Sequence, residues 1–272
     1  MVPVSGPTTG KTVGAPCWLG LTARDLEAAE RFYGAVLGWT FRRGEGERAY
    51  AVGERDGVPV AGIAGVAAEL SVPVAWTAFF AVADADAAVA RVRERGGTVG
   101  VGPVPFPPHG RAALATDREG ASFGVWQGRA ETPWHLGERT APAWLELHTR
   151  DAFEAAVFYG EVFRWADGGP GGFEVSYEED KVVLRRGGEA VARLNSGPVE
   201  ATAPQPQLRP RWLVRFRVPD PEVAREAVVA HGGSVVPGGD WGGVRGPAGR
   251  GPVVVRDPEG ALFTLEAAGP HP

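Results

Sequence analysis

The sequence predicts an α+β fold built from four βαβββ modules, laid out as two tandem copies of one domain. Three observations carry this reading. The chain repeats itself at long range. Each module opens on a strand with strict apolar alternation. Each such strand runs into an Asp followed by a helical stretch that a glycine ends.

The repeat comes first, because a missed repeat misreads the whole fold. Pro16, Trp18, Leu19, Leu21, Arg24 and Asp25 recur as Pro142, Trp144, Leu145, Leu147, Arg150 and Asp151, an offset of 126. Phe32, Tyr33, Gly34 and Trp39 recur at the same offset as Phe158, Tyr159, Gly160 and Trp165. Trp76, Asp84, Gly96 and Gly97 match Trp212, Asp220, Gly232 and Gly233 at 136, and Asp117, Glu119, Gly120 and Ala121 match Asp257, Glu259, Gly260 and Ala261 at 140. The offset grows in steps, as it does when loops lengthen between fixed elements. The copies are set at residues 14–128 and 142–267, with a tail over 1–13, a Pro- and Gly-bearing linker over 129–141 and a tail over 268–272.

Within each copy the pattern restarts once. Residues 18–23 alternate, with Leu19 and Leu21 on one face and Trp18, Gly20 and Thr22 on the other. Asp25 caps a helix over 26–37 that Gly38 stops, and strands follow near 48–52 and 58–64. The second module runs as a strand over 74–82, Asp84 as cap, a helix to Arg95 stopped by Gly96 and Gly97, and strands near 111–115 and 121–126. The second copy does the same, with Asp151 and Glu154 at capping-box spacing and Pro221 at the first helical position after Asp220.

Bulk properties remove several function classes. Of 272 residues, 44% are hydrophobic and 22% charged, enough for two domains with real cores. A net charge of -5 supplies no broad basic field for nucleic acid or an anionic membrane. The single Cys17 excludes an internal disulfide framework and a Cys-based zinc site. No signal peptide and no unbroken membrane-length apolar run is seen, so a cytoplasmic protein is expected. Residues 6–12 imitate a phosphate loop but are one residue short and follow no strand.

The strand–Asp–helix–Phe-Tyr-Gly–Trp element and the closing Asp-x-Glu-Gly-Ala turn resemble the vicinal oxygen chelate superfamily, the glyoxalase, bleomycin-resistance and extradiol dioxygenase fold, in its tandem bacterial form. The resemblance implies two glyoxalase-like domains whose mixed sheets curl into open cups, helices outside and ligand on the concave side. It also implies four cup positions where metal-using relatives carry His, Gln or Glu. Those positions hold Trp18, Gly62, Thr77 and Gly124 in the first copy and Trp144, Arg193, Leu213 and Thr264 in the second. None is a good ligand for a divalent cation. No metal site and no cofactor is therefore predicted. A shifted set of Glu146, His148 and Glu266 is the one metal alternative, and it is disfavoured.

Alternation then gives the cup residues. Trp144, Glu146 and His148 share the inward phase of one strand, opposite Leu145 and Leu147. Arg215, Arg217, Thr264 and Glu266 share it in the same copy, as do Trp18, Thr22, Thr77, Phe79 and Trp126 in the other. Glu146 and His148 are the catalytic candidates, because a carboxylate beside an imidazole suits acid/base work. The others are candidates for substrate binding, the arginines for an oxyanion or carboxylate and the rings for a flat apolar body. His109, in a loop with Pro107 and Pro108, is added as a contact at a cup mouth. His135, His231 and Cys17 are assigned structural places.

Two pairings of the modules stay open. Across copies, Arg215, Arg217 and Glu266 join Trp18 and Thr22, and Thr77 and Trp126 join Glu146. Within copies, all polar candidates fall in the second cup. Three functions also stay open. The leading one is a metal-independent enzyme of secondary metabolism acting by acid/base chemistry on an aromatic or polycyclic small molecule, a lyase, isomerase, cyclase or cofactor-free oxygenase. The others are a sequestering protein similar to bleomycin-resistance proteins and a metal enzyme with shifted ligands. Two copies already supply four modules, so a monomer or weak homodimer is expected.

Overall fold

The computed structural model describes residues 13–43, 49–107, 109–128, 141–165, 172–178, 181–197, 209–236 and 252–268. All of the expected linker but Ala141, with His135 in it, and the segment over 6–12 lie outside them, as do most of both expected tails.

The first copy runs β1 (Pro16–Thr22), α1 (Leu26–Leu37), β2 (Thr40–Arg43), β3 (Tyr50–Arg55), β4 (Val58–Ala64), α2 (Ala67–Leu70), β5 (Ala75–Ala81), α3 (Ala85–Glu94), β6 (Thr98–Phe106), β7 (Gly110–Thr116) and β8 (Ser122–Gly128). The second runs β9 (Ala143–Thr149), α4 (Ala152–Phe163), β10 (Glu174–Glu178), β11 (Lys181–Arg186), β12 (Glu189–Ser196), β13 (Arg211–Val218), α5 (Pro221–Ala230), β14 (Ser234–Val235), β15 (Val253–Arg256) and β16 (Leu262–Ala267). Apart from the one-turn helix α2, this is βαβββ four times. All four long helices start where an Asp side chain accepts from backbone N–H groups of the first turn: Asp25, Asp84, Asp151 and Asp220. Gly38 ends α1 in the left-handed conformation; Arg164 adopts it at the end of α4.

The question of pairing has a definite answer. One eight-stranded sheet has the order β2-β3-β4-β1-β5-β8-β7-β6 and the other β10-β11-β12-β9-β13-β16-β15-β14. Each sheet draws both its modules from one copy, joined by antiparallel pairing of β1 with β5 and of β9 with β13. The strand faces fall as alternation requires. Leu19, Leu21, Leu145 and Leu147 are fully covered on the helix side, in one core that spans both copies.

That shared core explains the repeated motifs. Tyr33 on α1 donates to the Asp257 carboxylate of the other copy at 2.9 Å and accepts from Trp76 Nε1 at 3.1 Å. Tyr159 on α4 does the same with Asp117 and Trp212, both at 2.9 Å. Glu259 accepts from the backbone of Arg24 and Asp25, and Glu119 from the Thr149 hydroxyl and the Arg150 backbone. Phe32 lies against Gly233, and Phe158 against Gly97; at each glycine a Cβ would sit 3.0 Å from the ring and closer still to backbone. The motif of one copy is thus completed by the other. No helix among the described residues is long and apolar enough to cross a membrane.

Candidate functional site

The concave faces point away from the shared core, and the two cups differ sharply. In the first, Trp18, Thr22, Thr77, Phe79 and Trp126 are all half-buried. Its floor is made of glycines covered by rings. A Cβ on Gly124 would lie 2.1 Å from Phe79 Cδ1, and one on Gly62 would lie 2.2 Å from the Tyr50 hydroxyl. Phe79 also overlies Gly20. Glycine is needed here for close approach rather than for backbone angles. Trp126 meets the exposed Phe106 at the β6–β7 hairpin, with ring centroids 6.2 Å apart. His109 stands exposed in the turn of that hairpin, away from Glu146 and His148.

The second cup is closed and charged. Every residue of β9 is buried, whereas β1 alternates between buried and half-buried. Within-copy pairing gathers Trp144, Glu146, His148, Arg215, Arg217, Thr264 and Glu266 here and leaves none of the first-cup candidates beside them. Cross-strand register does the gathering: Arg215 lies opposite both Trp144 and Thr264, and Arg217 opposite Glu266. Arg215 bridges two carboxylates, donating from Nη1 to Glu146 at 2.5 Å and from Nε to Glu266 at 3.2 Å. Arg217 Nε lies 3.7 Å from Glu266 and its Nη1 donates to the Ala141 carbonyl at 3.0 Å. Trp144 Nε1 donates to Glu266, and Asn195 donates to Glu146. His148 Nε2 stands 3.7 Å from the Glu146 carboxylate. The guanidinium groups of Arg193 and Arg215 lie 5.1 and 4.6 Å from the Trp144 ring centre.

These surroundings push the two carboxylates apart. Burial alone would raise Glu146, but the Arg215 charge, the neighbouring His148 ring and the hydrogen bond from Arg215 outweigh it, and the group is held well below the usual carboxylate range. At Glu266 burial wins over Arg215, Trp144 and Arg217, and the group is raised. Asn195 and Tyr50 were not anticipated from the sequence. Asn195 sits two residues after Arg193, and so in its phase, but an Asn in a strand carries little signal by itself.

The family model described as Glyoxalase/Bleomycin resistance protein/Dioxygenase superfamily matches residues 17–125, and the Glyoxalase-like domain model matches 144–266. The chain belongs to the glyoxalase/bleomycin resistance/dioxygenase superfamily. It is similar to the anthracycline biosynthesis protein DauV of Streptomyces sp. strain C5, at 30% identity covering 93% of this chain and 92% of the relative. It is 29% identical to CFP32 of Mycobacterium bovis, whose name offers it as a glyoxylase, covering 95% and 96% of the two chains. Among solved structures, the Mn(II)-bound glyoxalase from Novosphingobium aromaticivorans superposes with a TM-score of 0.55 at 19% identity, covering 93% of this chain and 82% of that one, a likeness of fold.

Metal use by superfamily members makes the ligand positions worth testing on their chemistry. In the second cup they hold Trp144 between two guanidinium groups, together with Leu213 and Thr264. A divalent cation placed there would meet fixed positive charge, and the nearby carboxylates are already engaged by Arg215. The shifted set fails for the same reason, because Arg215 lies between Glu146 and Glu266. In the first cup the positions are Trp18, Thr77 and two ring-covered glycines. The residues present do not fit a metal.

Proposed function

We propose that this protein is a metal-independent enzyme of secondary metabolism that moves a proton on an aromatic or polycyclic small molecule, with its polar machinery in the second cup. One observation carries the reading: two carboxylates share one arginine at the floor of a closed cup, and their surroundings drive their proton affinities in opposite directions. Such divergence is how one site keeps a fixed negative charge beside a group that exchanges a proton. In this reading Glu146, with His148 and Asn195 around it, holds Arg215 in place. Glu266 accepts a proton from an acidic C–H or O–H of the ligand and returns it. Arg215 and Arg217 face the negative charge that proton loss leaves on the ligand. The similarity to an anthracycline biosynthesis protein supports a place in secondary metabolism and a fused-ring ligand. Each cup is complete within one chain, which supports a monomer or weak homodimer.

A holding role without turnover is the second reading, favoured by the half-buried Trp18, Phe79 and Trp126 of the first cup. Anthrone, a three-ring ketone with an acidic methylene, separates the two. In deuterated water at neutral pH the enzyme reading expects protein-accelerated exchange at that carbon, followed by proton NMR. Exchange should fall about 100-fold or more in Glu266→Gln, and EDTA should leave it unchanged. Binding with no acceleration over buffer would move the holding role to first place.

A further inference from the structure

The open face of the first cup takes no part in proton transfer, and its side chains are left unengaged. Along one row of the sheet Val101 on β6 pairs with Leu114, Leu114 with Gly124, Gly124 with Phe79 and Phe79 with Trp18. The row crosses β6, β7, β8, β5 and β1, a width of about 19 Å. It is accessible along its length. Val101 is 50% exposed and Leu114 41%, while Phe79 and Trp18 are half-buried. Val254, which matches Leu114 in the second copy, is 1% exposed, so the same wall is covered there and open here. A contiguous apolar face left open to water marks a place for a binding partner.

The groups on that face define the partner. Neither Trp18 nor Phe79 meets another ring among the described residues, whereas the rings of the shared core touch one another. The indole N–H groups of Trp76, Trp144, Trp165 and Trp212 all donate to protein acceptors. That of Trp18 does not among the described residues, and the hydroxyls of Thr22 and Thr77 are equally free. Thr77 lies opposite Gly20, between Trp18 and Thr22 on β1, so the three polar groups are neighbours at one end of the row. From β6 to β4 this face carries no charged side chain among the described residues; the Arg42–Glu54 pair, joined at 3.0 Å, stands beyond β4 on β2 and β3. An ion bound there would give up its hydration without a counter-charge, and an uncharged ligand would not.

We infer that the open face of the first cup is a separate binding site for an uncharged, planar fused-ring aromatic that carries a ring carbonyl or hydroxyl. The ring body lies on Phe79 and Trp18 and along Leu114 and Val101, and its oxygen meets the Trp18 N–H or a threonine hydroxyl. The site gives the holding role its ligand class and rests on that reading of the first cup. It does not depend on proton transfer in the second.

The test titrates the full chain into two fluorescent probes, uncharged acridone and anionic acridone-2-carboxylate, and follows anisotropy. Acridone is expected to bind, and to bind tighter than the anion by about 10-fold or more. Trp18→Ala should weaken acridone by about 10-fold, and Leu114→Asp, which sets a charge on the exposed wall, by a similar factor. Thr77→Val should cost about 3-fold through one hydrogen bond. Tyr177→Ala, an exposed ring on the other copy, and Glu266→Gln, in the other cup, should leave acridone affinity as it is. If Trp18→Ala does not fold by circular dichroism, Leu114→Asp is judged by the same criterion. No acridone binding, equal affinity for the two probes, or affinity that survives Leu114→Asp overturns the inference. A loss in Glu266→Gln places the ligand in the second cup and overturns it as well. Anthrone exchange without acridone binding removes this site alone; acridone binding without exchange removes the proton-transfer reading alone.

Discussion

Tyr159→Phe isolates the lock between the two copies. The hydroxyl accepts from Trp212 Nε1 and donates to Asp117 Oδ2, both at 2.9 Å, and all three residues are buried. Phenylalanine keeps the ring and opens no large cavity, so the loss is one of hydrogen bonding. The indole N–H is left buried without its acceptor, which costs about 1–3 kcal/mol. Asp117 loses one donor but keeps the backbone N–H groups of Glu119 and Ala121 on its other oxygen, so its share is smaller. A total near 2–4 kcal/mol follows. Burial, eased by the hydrogen bonds from Ala121 and Tyr159, raises the Asp117 carboxyl above its ordinary value. Removing the Tyr159 donor raises it further. A carboxyl raised in the folded state weighs against folding once pH passes its folded value, so the loss should grow as pH rises from acid to neutral. Tyr33→Phe should cost a similar amount through Asp257 and Trp76, and the double variant should be additive within about 0.5 kcal/mol. Urea unfolding followed by circular dichroism measures all of this. A loss below about 0.5 kcal/mol with an unchanged slope in denaturant would refute the lock.

Further outcomes follow from the cups. Glu146→Gln should destabilise by about 3 kcal/mol at neutral pH, since one partner of a buried ion pair is lost. Glu146 is depressed in the folded state, so its contribution is fully present above the unfolded carboxylate value and is lost as pH falls toward the folded value; in urea unfolding the gap between wild type and variant should begin to narrow below about pH 4 and close only well below the usual carboxylate range. Gly124→Ala should cost about 1–3 kcal/mol of overpacking against Phe79, and Phe79→Ala in the same chain should recover much of it in thermal unfolding. Elemental analysis after exposure to Mn, Fe, Co, Ni and Zn and gel filtration should find no stoichiometric metal; a retained ion would refute the reading of the ligand positions.

What the sequence made legible follows from the range of the interactions involved. Caps and alternation are local, so the four Asp caps, the start and end of α1 and the inward phase of Glu146 and His148 could all be read from spacing. The strand β6 and the turn α2 were not read, because Thr98–Phe106 is interrupted by Gly100, Gly102, Pro103 and Pro105 and shows no clean period. Pairing within rather than across copies is a long-range fact that no period encodes. It decides the site, because it separates Trp18 from Arg215 and Glu266, and Thr77 and Trp126 from Glu146.

The repeated motifs show the same limit from the other side. Phe32, Tyr33, Asp117 and Glu119 stood out as the strongest sequence signal, and each proves to be a contact between copies. The cup residues carry almost no repeat: Glu146 and His148 replace Gly20 and Thr22, and Arg193 replaces Gly62. A motif that recurs in both copies serves what both copies share, their mutual packing. Side chains that differ between otherwise matching positions are free to specialise. On that argument the second cup, where the first copy's small or neutral residues give way to a buried array of arginine and glutamate, is where the proposed chemistry belongs.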